Sequence, residues 1–125
     1  MPITHAVDRE RGAITAVASG TIVLADVRQH LVDERRDAGL SYPELIDARG
    51  VTIVFSPADV RTVVELLRDL GAHQTLGPTA ILVSTDYVYG MLRMLEVLVE
   101  DVCAVRPFRE LSDAERWLQN PTGAA

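Results

Sequence analysis

Short, wholly apolar runs that alternate with helical periods constrain this chain most. Between Thr79 and Leu118 it reads TAILVS, TDYVYGMLRMLEVLVE, DVCAVRPF and, after a two-residue gap, LSDAERWL. Ala80 to Val83 is apolar throughout and brief, as a central parallel strand covered on both faces must be. The next segment puts Val88, Met91, Leu92, Leu95, Leu98 and Val99 at helical spacing. Met94 and Val97 are left over, so this helix is apolar on more than one side. Ser84 or Thr85 supplies its N-cap, and Asp86 suits the positive end of the helix dipole. Val102 to Val105 reads as the following strand. Leu111-Ser112-Asp113-Ala114-Glu115 reads as a capping box that opens a helix with Ala114, Trp117 and Leu118 on one face. Strands that alternate with helices in this way are expected to be parallel and joined by right-handed crossovers.

The earlier part of the chain adds two more units. Ile3–Asp8 and Ala13–Ser19 are extended runs around a polar Arg9-Glu10-Arg11-Gly12 turn, which predicts a β-hairpin. Gly20 is expected to break the second strand. From about Ile22 to Asp37 the period is helical, with Leu24, Val27 and Leu31 on one stripe and Arg28, Asp33, Glu34, Arg35 and Arg36 mostly outside. Gly39 stops it. Glu44–Ala48 is a short strand, and Val51–Phe55 is either a strand of its own or an extended lead into the next helix. Ser56-Pro57-Ala58-Asp59 is a strong helix start: Ser as N-cap, Pro at the first position, and Asp closing a capping box. Val60, Val63, Val64, Leu67 and Leu70 then hold the helical spacing up to Gly71. The predicted order is ββαβαβαβα over one domain spanning residues 1–125, with residues 119–125 a frayed tail.

Bulk properties exclude several classes. A net charge of −6 without a basic cluster argues against nucleic-acid binding and against an anionic membrane surface. All twelve basic residues are Arg, so lysine chemistry is absent. No apolar run approaches the roughly 18 residues of a membrane span. Together with the lone Cys103 and an N-terminus that lacks signal-peptide order, this predicts a cytoplasmic protein. Cys103 has no neighbouring base in the sequence and reads as core. His5, His30 and His73 show no His/Cys spacing for a metal, and no cofactor is expected.

The element order resembles that of the STAS domain, the fold of SpoIIAA-type anti-sigma factor antagonists. It is more similar still to a bacterial STAS-like, or SpoIIAA-like, branch. The residues that carry the likeness are Tyr89-Gly90-Met91-Leu92-Arg93-Met94, Phe108-Arg109 and Ala114-Glu115-Arg116-Trp117-Leu118. The resemblance implies a mixed sheet of four or five strands with helices packed on it, and a regulatory, non-enzymatic role. In STAS antagonists a serine in an Asp-Ser-Ser-Gly loop before the second helix is phosphorylated. The matching place here is Phe55-Ser56-Pro57-Ala58, where one hydroxyl stands and the acid and glycine do not.

Three groups of residues are therefore candidates. Ser56 is a helix cap or a phosphoacceptor, since a phosphate is accommodated at a helix N-terminus. Asp47, Ser84, Thr85 and Arg106 belong near the carboxyl ends of the parallel strands, where α/β sheets bind ligands. Asp47 and Arg106 either hold a polar ligand or serve structure, by pairing with each other or capping loops. Tyr87, Tyr89, Arg93, Met94 and Val97 form a candidate interface for a protein partner or a homodimer. The expected function is an interaction or regulatory module. The alternative is a small-molecule or lipid-binding module using the crevice at the strand ends, whose sign would be a closed apolar pocket beneath the third helix. No activated nucleophile or acid–base pair can be assembled, so an enzyme is not expected.

Overall fold

The structure, a computed structural model, describes residues 2–37 and 39–121. The chain runs β1 (Ile3–Asp8), β2 (Ala13–Ile22), α1 (Leu24–Arg36), β3 (Glu44–Ile53), α2 (Pro57–Gly71), β4 (Thr79–Leu82), α3 (Asp86–Leu98), β5 (Val105–Phe108) and α4 (Leu111–Gln119). This is the ββαβαβαβα order expected from the sequence. Of the tail expected over 119–125, Gln119 is instead the last residue of α4, and residues 122–125 lie outside the described residues.

All five strands form one sheet in sequential order, β1-β2-β3-β4-β5. β1 and β2 pair antiparallel, from Ile3–Ala18 to Asp8–Ala13. Their turn is closed by the Asp8 carboxylate, which accepts from Arg11 N at 3.0 Å, and by Gly12 at φ 63°. The other three pairings are parallel. Each crossover advances one strand in the same direction. Right-handed crossovers of that kind deliver their helices to one face, and α1, α2 and α3 do form a single layer there. α4 follows the edge strand β5 and covers the opposite face.

Strand alternation sorts the core between the two faces. Ala80 and Leu82 of β4 pack with Ala114 and Trp117 of α4, whereas Ile81 between them faces the α3 side with Val83, Val88 and Leu92. Ala18, Ile22, Ala48 and Val51 form the core under α1. α2 is braced by α1 and α3 rather than seated on the strands.

Several boundaries differ from expectation. Gly20 does not end β2: at φ 74° it continues pairing, and the strand runs to Ile22. Glu44 to Ile53 is one strand. Its irregularity is a bulge, because pairing steps from Val17–Asp47 to Ser19–Gly50 and leaves β3 one extra residue. The last strand is Val105–Phe108 rather than Val102–Val105. It includes Pro107, which an edge strand tolerates. α4 starts from Glu110 without a side-chain cap, so the expected box does not form. Glu34, expected outside, is 3% exposed. Its position seven residues after Val27 and three after Leu31 places it on the buried stripe.

Candidate functional site

The sheet face under α1–α3 presents small side chains at its centre. Ala18 and Ala48 are both buried there. Val27 and Leu31 of α1, Val63 and Leu67 of α2, and Val88, Met91, Leu92 and Leu95 of α3 come down from the helix layer. The two surfaces do not meet everywhere, and a cavity of about 180 Å³ lies between them. Its wall is overwhelmingly aliphatic. Cys103 contributes a thiol, which burial above all, and then the charge of Asp101, push up to about 11.

One part of the wall is ionisable. His30 and Glu34 from α1 and Glu44 from the start of β3 line the cavity, and all three are buried. His30 Nε2 lies 2.9 Å from Glu44 Oε2 and 3.1 Å from Glu34 Oε1. Burial alone would lower the His30 pKa, but the hydrogen bonds and charges of the two carboxylates outweigh it and raise it to about 10. Burial raises the Glu44 pKa, and Glu34 adds to the rise against the opposing pull of His30, leaving it at about 7. The His30 ring also meets the His5 ring edge-on, with centroids 5.3 Å apart. These three residues are the group whose donor atoms stand close enough together to hold a metal ion, among the described residues. A search on His and Cys spacing passes over them. The one local signal is His30-x-x-x-Glu34, one helical turn, and Glu44 joins it only through the fold.

The residues singled out from sequence sit elsewhere. Asp47 pairs with Arg49 through two side-chain hydrogen bonds, at 3.0 and 2.8 Å, within the β3 bulge. Ser84 Oγ donates to Arg49 O at 2.6 Å, and Thr85 caps α3 by accepting from Val88 N at 3.3 Å. Arg106 donates to Glu96 at 2.7 Å and stacks over Trp117 at 5.4 Å. Asp47 and Arg106 therefore do not pair with each other. Ser56 Oγ accepts from Asp59 N at 3.1 Å while Ser56 N donates to Asp59 Oδ2 at 3.0 Å, a complete capping box. Tyr87, Met94 and Val97 are exposed on the outer face of α3, together with Leu98. Arg93 is held by Glu96 at 2.8 Å, and Arg109 stacks on Tyr89 at 4.7 Å.

A five-stranded sheet layered on α1–α3 and backed by α4 is the arrangement of SpoIIAA-like, or STAS-like, domains. The chain is similar to the structure of an uncharacterized protein of the DUF3478 family with a SpoIIAA-like fold from Shewanella loihica PV-4. The TM-score is 0.58, with 20% identity and 93% of each chain covered. The likeness is one of fold. No family model matches the chain, and no curated protein does. No helix among the described residues is long and apolar enough to cross a membrane.

Proposed function

We propose that this protein is a binding module for a small, mainly apolar molecule, held between the sheet and the α1–α3 layer. The observation that carries this reading is the cavity beneath α3, about 180 Å³ with an aliphatic wall. A cavity of roughly 150 Å³ lined by aliphatic and aromatic side chains is enough to bind benzene. A ligand at 100 times its Kd would stabilise the fold by about 2.7 kcal/mol. A ring compound or a short branched chain is the matching size.

A second reading, contact with a protein partner or a second copy, is favoured by the outer face of α3, where Tyr87, Met94, Val97 and Leu98 are exposed. The two readings share α3, whose inner face lines the cavity. A ligand that reseats α3 would alter the outer surface, which is how a regulatory module of this kind would work.

The test is mass spectrometry of the protein taken from its own host, native and then denatured. A native mass above that of whole chains, lost on denaturation and recovered in an organic extract, supports the binding module. A protein companion whose association is abolished by Val97→Glu, with no small molecule carried, supports the interaction reading instead.

A further inference from the structure

His30, Glu34 and Glu44 pose a problem of charge. A single Nε2–H stands between two carboxylates that come from different elements, at 2.9 and 3.1 Å. It can satisfy one of them well. Even as an imidazolium, His30 brings one positive charge to two carboxyl groups in a place where Glu34 is 3% and Glu44 5% exposed. Charges so placed are costly unless something of opposite sign joins them.

The geometry suits a metal ion. In a tetrahedral shell with ligand bonds of about 2.0–2.1 Å, neighbouring donor atoms stand about 3.3 Å apart. The nitrogen–oxygen separations here are a few tenths of an ångström shorter, and the donor atoms of the three residues all lie within 4.8 Å of one another. His30 Nδ1 has no hydrogen-bond partner among the described residues. The Nε2 lone pair is free for a metal in the Nδ1–H tautomer, whose N–H meets no acceptor among the described residues.

We propose that His30, Glu34 and Glu44 form a binding site for one divalent transition-metal ion of the zinc or manganese class. The ion replaces the shared proton, cancels both carboxylate charges, and takes three protein ligands. Its remaining coordination positions open toward the cavity that the same three residues line. One imidazole and two carboxylates match borderline and harder cations, and the absence of thiolate from the set disfavours copper(I). The site stands on these three side chains and does not depend on an apolar occupant.

The experiment uses the full chain freed of metal with a chelator. It is titrated with cobalt(II), followed by its visible absorption, and with zinc in competition with a chromophoric chelator. One ion per chain is expected, with a cobalt spectrum of low coordination number. Glu34→Gln and Glu44→Gln should each weaken zinc by more than the roughly 10–100-fold that loss of an outer-shell partner costs. His73→Ala, at an exposed residue bonded to Asp69 O, should change nothing. If a Gln variant fails to fold, imidazole NMR of the wild-type chain decides: zinc should shift the His30 ring signals and leave those of His73 in place. Failure of the wild-type chain to bind, binding undiminished in both Gln variants, or shifts confined to His5 or His73 would overturn the proposal.

Discussion

His30 Nε2 and Glu44 Oε2 meet at 2.9 Å and tie the middle of α1 to the first residue of β3. With Glu34 they make an ionic knot in an otherwise aliphatic layer. Removing the imidazole leaves two carboxylates buried without a cation. His30→Ala is therefore expected to cost the metal-free protein about 3–5 kcal/mol, the usual consequence of breaking a buried pair. Urea denaturation in the presence of chelator measures it. A loss below about 1 kcal/mol would mean that the carboxylates are solvated and that the burial described here is wrong.

Ser56 and Asp59 close a reciprocal box at the start of α2. Ser56→Ala should lower stability by about 1 kcal/mol, as loss of an N-cap does, and Ser56→Asp, itself a good cap, should recover most of it. Equilibrium unfolding of both variants reads this directly. Equal losses in the two would show that the hydroxyl serves something other than the helix end.

Cys103 gives a pH-dependent reporter. Its thiol is raised from 9.0 to about 11 by burial first and Asp101 second. Because the folded state favours the protonated thiol, the stability it contributes is intact below the ordinary pKa and is lost as pH rises through about 11. At pH 8 the thiolate fraction is about 100-fold below that of an ordinary thiol, since each pKa unit is a factor of ten. Iodoacetamide labelling of the native chain should be correspondingly slow, climb tenfold per pH unit, and slow further when an apolar compound occupies the cavity that Cys103 lines. Labelling at the rate of the unfolded chain would contradict this environment.

The parts of the fold that were legible in the sequence are those specified locally. α2 was placed by Ser56-Pro57 and Gly71, α3 by Thr85-Asp86, and β4 by an apolar run too short for a helix. What escaped was decided by neighbours. β5 was displaced because Val102-Cys103-Ala104-Val105 is the more strand-like string. Pairing with β4 instead selects Val105–Phe108, and the edge position admits Pro107. Gly20 looked like a stop, yet β3 holds that segment in the sheet. Glu34 looked solvated because its charge outweighed its place on the stripe. The cavity has no local signature at all: it follows from two alanines, Ala18 and Ala48, meeting helices that cannot descend to them.

Filling that mismatch should abolish ligand binding. Ala48→Leu adds a branched side chain at the floor of the cavity, where nearby aliphatic residues leave room. The most direct measurement is an NMR titration of the wild-type and Ala48→Leu chains with indole. Saturable shifts concentrated at Val63, Leu92 and Cys103 in the wild type, lost in a folded and more stable Ala48→Leu, are the predicted result. Shifts confined to the outer face of α3, or identical in both chains, would contradict a ligand-binding interior.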